Sequence, residues 1–325
     1  LSAINIQITS HAQDSQIQTP TQFTIANPVE WKLFDHCAVV MRVYALFETF
    51  IDDIIALWLK ELPTLVPKYE LLPEEVRKQH RIGIAHVLNR FGGPQYQHLS
   101  EYDIVEGLYT GSRGVSSYSL PVDLFLIETR NYTWSVLLQL FNSVGLAGVE
   151  STIKKVESLT VFMSSHFGGS ETPDSLLNML VERRNSAAHG EVNQTLSIAE
   201  LVRLAEYVIV FCRAIVSVVE DSSIRQEIAG GKTFKAGRVI RRFHNRIVGI
   251  ESEECVWQGG MELYVTHNDL FFSARVESLQ VDYVEHAVYR APKGQKIAIR
   301  LNDAVSSRGK IYQRLVTPIF HAENI

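Results

Sequence analysis

The sequence predicts an α+β chain, with an all-α part over residues 26–222 followed by a small β domain over residues 247–325. Three observations predict it. From "ANPVEW" onward, apolar residues recur at helical spacing between recognisable caps. Past "GGKTFKAG" the pattern changes to short runs rich in Val, Ile, Tyr and Phe, separated by turn signals. The charge changes at the same place. Residues 232–325 hold 14 Lys/Arg against 10 Asp/Glu, a balance of +4, so residues 1–231 carry −9 within an overall charge of −5.

Each element has its own signal. In "AINIQIT", Ile4, Ile6 and Ile8 alternate with polar residues, the period of a half-buried strand; linker composition follows to residue 25. An all-α neighbour offers such a strand no partner, so the C-terminal sheet is its expected place. Asn27 can cap the first helix, Pro28 suits its first turn and Glu30 can close a capping box. That helix runs toward Pro63 and is roughly 50 Å long. Further helices are expected at 73–91, 121–144, 148–163 and 173–188, the last with Thr172 as cap and Pro173 in its first turn. A helix to about Glu220 begins at Ser197 and Glu200, a capping box, with Leu196 stapled onto Leu201. The glycine-containing stretch 92–120 reads as an irregular insert and residues 223–246 as a basic connector. "MELYVT", "LFFSARVESLQVDYV", "AVYRA", "KIAIRL" and "KIYQRLV" read as strands.

Composition narrows the function classes. Among 325 residues, 46% are apolar and 21% charged, values of a soluble globular protein. No run reaches the roughly 18–20 uninterrupted apolar residues of a membrane span. No basic segment followed by an apolar one opens the sequence, so export is not expected. Cys37, Cys212 and Cys255 are odd in number and far apart, as in a cytoplasmic protein with reduced thiols. No phosphate-binding loop, dinucleotide fingerprint, H-E-x-x-H or C-x-x-C appears, so no metal or cofactor is expected. The aromatic stripe Tyr44, Phe47, Phe50 and Trp58 is read as helix-packing surface.

The stretch "LVERRNSAAHGEV", residues 180–192, carries the chemistry. Two arginines, an asparagine and a histidine crowd a helix end, separated by small residues. An Arg and a His with four to six residues between them also occur at Arg81–His86, Arg238–His244 and Arg314–His321, so the spacing alone says little. Here, however, Asn185 and His189 share a face if the helix persists. Ala187, Ala188 and Gly190 leave room for a ligand or a second chain.

"RNSAAHG" after an acidic and apolar helix resembles the Rx4–6H motif of the HEPN superfamily. "YALFETFIDDI" is similar to the early helix of that superfamily, and "IETRNYTWSVLLQLFNSVGL" resembles the central segment of the RiboL-PSP and MAE-type HEPN nucleases. Together the three span about residues 30–220. The resemblance implies an antiparallel four- or five-helix bundle that dimerises, with two motif helices building one composite site. It also implies metal-independent RNA cleavage in toxin or antiviral-defence roles, with an antitoxin or another defence protein as partner besides the RNA. Carried over, Arg184 and His189 take the motif positions and Asn185 the polar position between them. Arg183 also satisfies the spacing, and Glu48 is a supporting residue. Some members follow this acid with a base four residues later; here Asp52 follows Glu48, so that feature is absent.

The residue types suit this chemistry. RNA holds its own nucleophile, the 2′-hydroxyl, beside the phosphorus. Histidine can take that proton or protonate the leaving oxygen. Arginine can bind the charge growing on the phosphoryl oxygens. The alternative is a non-catalytic HEPN module that binds nucleotide or RNA, or serves as the regulatory subunit of a two-component system. "KTFKAGRVIRRFHNR" has six basic residues and no acid. In it Lys235, Arg238, Arg242 and Arg246 recur at roughly helical spacing, a candidate RNA-binding stripe.

Overall fold

A computed structural model describes residues 28–114, 118–127, 131–192, 194–244, 246–305 and 309–315. The strand expected around Ile4, Ile6 and Ile8 and the cap at Asn27 lie outside these residues, as does His321. Eight helices are followed by nine strands among the described residues.

The long helix α1 (Pro28–Leu65) is the spine of the bundle. Tyr44, Phe47, Ile51, Ile55, Trp58, Leu59 and Leu62 follow its helical period and are buried in one continuous core. That stripe includes Tyr44, Phe47 and Trp58 of the aromatics expected to pack, and the fourth, Phe50, is half-buried against the same core. Against α1 lie α7 (Pro173–His189) and α8 (Ile198–Ala229). Both begin with capping boxes, Thr172 with Ser175 and Ser197 with Glu200, each satisfying two backbone N–H groups that a helix start leaves free. Helix α2 (Glu74–Asn89) lies where the spacing predicts.

Three expectations are corrected. Residues 92–120 contain a regular helix, α3 (Glu101–Arg113), capped by Ser100 and ended by Gly114 at φ 61°. Its glycines are contact points: a Cβ on Gly107 would lie 2.6 Å from the Ser119 carbonyl oxygen, and one on Gly111 2.8 Å from the Tyr69 ring. The helix expected over 121–144 is confined to α4 (Trp134–Ser143), because Thr133, itself extended, caps it, and Val122–Leu124 form only a short 3-10 turn. The helix expected over 148–163 is two, α5 (Val149–Ile153) and α6 (Glu157–Phe167).

His80, on α2, shows what this core does to a charge. It is fully buried, stacked near-parallel to Phe125, with Nδ1 against the Tyr69 hydroxyl at 3.1 Å and Nε2 without a partner. Burial, helped by Arg81, pushes its pKa down to about 4. The unfolded chain binds this proton from pH 6.5 downward while the fold refuses it. Stability should therefore fall as pH drops from 6.5 toward about 4, by on the order of 3 kcal/mol for this group. Urea unfolding over that range should show the slope, and His80→Phe should flatten it; an unchanged slope would assign the pH dependence elsewhere.

The C-terminal part is a closed antiparallel barrel. Its strands are β1 (Thr233–His244), β2 (Ile247–Ser252), β8 (Lys296–Leu301), β5 (Leu270–Val281), β4 (Glu262–His267) and β9 (Lys310–Arg314), in that order around the ring, with β9 returning to β1. Ala236, Val239, Val248, Ile250, Val265, Ile299 and Ile311 fill it. β6 (Val284–Glu285) extends β5, and the ribbon β3 (Cys255–Gln258) with β7 (Val288–Ala291) inserts the fully buried Trp257 into the core.

Residues 223–246 are not a connector. They comprise the last turns of α8 and all of β1, and α8 packs directly on β5. Ile224 packs with Tyr264 and Phe271. Buried Asp221 accepts from the Phe271 N–H at 2.8 Å, and Glu227 takes both Arg314 (2.9 and 2.7 Å) and the Tyr264 hydroxyl (2.7 Å). Lys232 is tied to the Thr64 carbonyl and, through its backbone, to Glu227 and Leu315. Only Gly230, Gly231 and Lys232 lie between the bundle's last helix and the barrel's first strand.

Candidate functional site

Helix α7 buries Leu176, Leu177, Leu180 and Val181. The next position on that stripe is Arg184, which therefore turns toward α1 rather than outward. Its guanidinium lies over the Tyr44 ring, 5.3 Å from the centroid, and donates from Nη1 to Asn185 Oδ1 at 3.1 Å. Asn131 Nδ2 donates to the same oxygen at 3.0 Å. The Tyr44 hydroxyl accepts the Tyr132 N–H at 2.8 Å and points its proton at Glu48 Oε1, 3.4 Å away. One helix turn further, the Tyr132 hydroxyl donates to Asp52. Asn178 Oδ1 accepts the Trp134 N–H at 3.0 Å, which pins the residues leading into α4 against α7.

Burial governs the electrostatics of this cluster. It raises the Glu48 pKa, against the pull of Arg184 and with repulsion from Asp52 adding to the rise. It raises Asp52 as well, where the bond from Tyr132 opposes the effect. The Tyr44 phenol is pushed up to about 12, again chiefly by burial. Tyr44 and Tyr132 therefore stay neutral hydrogen-bonding groups near pH 7, and Arg184 is the cation at the centre of the cluster.

Arg183 faces elsewhere. It lines a cleft of about 220 Å³ with His36, Met179, Glu182, Ser186 and Glu191. Its Nη1 reaches the Gln194 carbonyl at 3.4 Å and its buried Nε has no partner. His36 Nδ1 accepts the Leu196 N–H at 3.1 Å, and burial, then Arg183, lowers its pKa. Of the two arginines, Arg184 is the one brought together with Asn185.

The helix persists through His189, so Asn185 and His189 lie one turn apart on one face. Gly190, at φ 70°, ends it; the Gly190 and Glu191 N–H groups both turn back to the Ser186 carbonyl. His189 is exposed and its ring makes no hydrogen bond with a described residue. Ala188 and Gly190 are exposed beside it, and a Cβ on Gly190 would meet nothing within 4 Å.

Tyr44, Asn131 and Tyr132 are site residues that sequence reasoning misses. Tyr44 belongs to the packing stripe, and Asn131 and Tyr132 fall in a stretch expected to be helical. Thr133 is the available signal: a threonine just before the apolar "WSVLL" is a helix cap, which puts Asn131 and Tyr132 outside the helix.

The four basic residues expected to form a stripe do not form one. They sit on or just past strand β1, so helical spacing does not align them. Val239, Ile240 and Phe243 favour the strand, and Gly237 admits the close approach of β2, where a Cβ would lie 2.7 Å from the Glu251 carbonyl oxygen. Lys235 pairs in register with Tyr312, at the end of the strand nearest α8. Arg238 is held by Glu251 at 3.0 and 2.7 Å. Arg242 and Arg246 are exposed and make no ion pair with a described residue.

Among the described residues, no three His, Cys, Asp or Glu are grouped to hold a metal ion, and no helix is long and apolar enough to cross a membrane. A comparison with curated proteins found no match. The RiboL-PSP-HEPN family model matches residues 3–221, a stretch that contains α1 through most of α8 and the whole Arg184–His189 cluster. The chain thus belongs to the RiboL-PSP-HEPN family.

Proposed function

We propose that this protein is a metal-independent endoribonuclease that works as a homodimer. The observation that carries the reading is the division of labour at the end of α7. Arg184 and Asn185 are seated by Tyr44 and Asn131, while His189 is left exposed with its ring free. A fixed guanidinium suits the charge that grows on the phosphoryl oxygens, and a free imidazole can move a proton. Cleavage starts with attack of the 2′-hydroxyl on the adjacent phosphorus. That oxygen loses its proton to a base, and the leaving 5′-oxygen gains one from an acid. One chain offers a single His189, and a twofold copy supplies the second. The small residues Ala187, Ala188 and Gly190 let the two chains approach closely. Asn185 orients the phosphate or the imidazole. A cytoplasmic toxin or antiviral effector, restrained by a partner protein, is the setting such an activity fits.

The half-burial of Arg184 over Tyr44 favours a second reading, a non-catalytic module that binds nucleotide or RNA, or the regulatory half of a two-component system. One experiment separates the two. The purified protein is incubated with mixed RNAs and DNAs in excess chelator, with its mass followed by sedimentation at the same concentrations. RNA but not DNA should be cut, leaving cyclic phosphate or 3′-phosphate ends, with activity tracking the dimer. Activity lost in chelator and restored by a divalent ion would overturn the mechanism. Intact RNA under every condition would favour the second reading.

A further inference from the structure

The barrel carries a patch that the helical bundle does not explain. Strand β1 outruns its neighbour: β9 pairs with Thr233–Arg238 only, whereas β2 pairs as far as His244. The far half of β1 has no strand partner on that edge among the described residues, and every described residue from Ile240 to His244 is exposed. Register defines what shares its outer face. Arg241 pairs with Gly249 and Gly249 with Ala298; on the next row of that face, His244 pairs with Ile247, Ile247 with Arg300 and Arg300 with Ser278. The floor of the patch is therefore Gly249, Ala298 and Ile247, with Arg241, His244 and Arg300 at its margins.

Phe243 stands on this floor. Its ring covers Gly249, where a Cβ would lie 3.2 Å from Phe243 Cε2, and the Arg241 guanidinium sits 4.9 Å from its centroid. The side chain is nonetheless 57% exposed. The ring is thus held in place by a glycine and an arginine and is open to solvent on its other side. The surrounding charge is mostly positive, with the acids Glu251 and Glu277 on adjoining rows. Arg241, Arg242, Arg246 and Arg300 make no ion pair with a described residue, while Glu251 on the adjacent row is held by Arg238.

We propose that this face of β1, β2 and β8 binds unpaired RNA, with a base stacked on Phe243 and Arg241 and the backbone held by Arg246 and Arg300. A ring flanked by guanidinium groups matches the two parts of a single strand, a flat base and a charged phosphate. A duplex keeps its bases stacked on each other and offers Phe243 no partner. The choice of RNA rests on the endonuclease reading above; the choice of an unpaired strand rests on Phe243.

Binding is measured with the full chain carrying His189→Ala, so that cleavage does not intervene. The probe is a labelled RNA of about twelve nucleotides, used unpaired or annealed to its complement. Phe243→Leu keeps an apolar cover over Gly249 but removes the aromatic face, and its thermal midpoint shows whether the fold is kept. It should weaken binding of the unpaired probe about tenfold and leave the duplex unaffected. Replacing Arg246 and Arg300 with Gln should reduce the salt slope by about 0.7 for each phosphate that is no longer neutralised. Unpaired RNA bound equally well by the Phe243→Leu chain would overturn the proposal. So would polyglutamate competing as strongly as RNA with no dependence on Phe243, which would mark an acidic protein surface as the occupant. Binding that behaves as expected in a protein whose wild type cuts no RNA would count against the endonuclease reading alone.

Discussion

Replacing His189 with alanine should lower RNA cleavage by about 10²-fold or more, in line with loss of an acid or base group. The same variant should bind RNA within about twofold of the unaltered chain, because the ring is exposed and holds nothing in place. Two companions sharpen the result. Arg184→Lys keeps a charge but not the planar fork, so it should fail to restore what Arg184→Ala removes. Asn131→Ala removes one of the two donors on Asn185 Oδ1 and should lower kcat by about tenfold with little change in KM, as expected of a positioning residue. Single-turnover cleavage rates at saturating enzyme make the comparison, and an unchanged rate for His189→Ala would remove His189 from the chemistry.

Gly83→Ala should destabilise the bundle by about 3 kcal/mol. Alanine ordinarily improves a helix interior by nearly 1 kcal/mol over glycine, so the expected sign is opposite to the local preference. The reason is distance. A Cβ at Gly83 would lie 2.0 Å from the Leu124 carbonyl oxygen and 2.6 Å from its carbon, and backbone cannot swing aside as a side chain can. Urea unfolding should show a lower midpoint with an unchanged slope. A raised midpoint would show that residues 122–124 retreat at little cost. The contact also has a functional side: the chain that crosses Gly83 goes on to deliver Asn131 and Tyr132 to Arg184.

What the sequence discloses depends on whether its signal is local. Helices α7 and α8 are legible because Thr172 and Pro173, and Ser197 and Glu200, are neighbours that act on each other. The Arg184, Asn185 and His189 cluster is legible in the same way, as one turn and a half of one helix. Tyr44 meets the Tyr132 backbone across 88 positions, and no spacing announces such a contact. Helix α3 is hidden because its glycines look like loop residues until Ser119 and Tyr69 are found against them. Strand β1 is hidden by its own irregularities. Register shifts occur between Lys235 and Gly237, Val239 and Arg241, and Arg242 and His244, and each moves the inward-facing residues out of phase. A strict alternation never develops, and the basic residues suggest a helix instead.

The uninterrupted α8 bears on which substrates this architecture can serve. A binding module on a floppy tether raises the local supply of RNA gradually, with an effective concentration set by tether length. Here the last turns of α8 are clamped to β4, β5 and β9, so an RNA gripped on the barrel begins its path from a fixed point. With RNA bound and cut as proposed, the bundle and barrel together would act as a ruler. Strands too short to reach from the barrel to the end of α7 gain nothing from the grip, and longer ones gain it in full. Cutting efficiency against RNA length should therefore rise as a step.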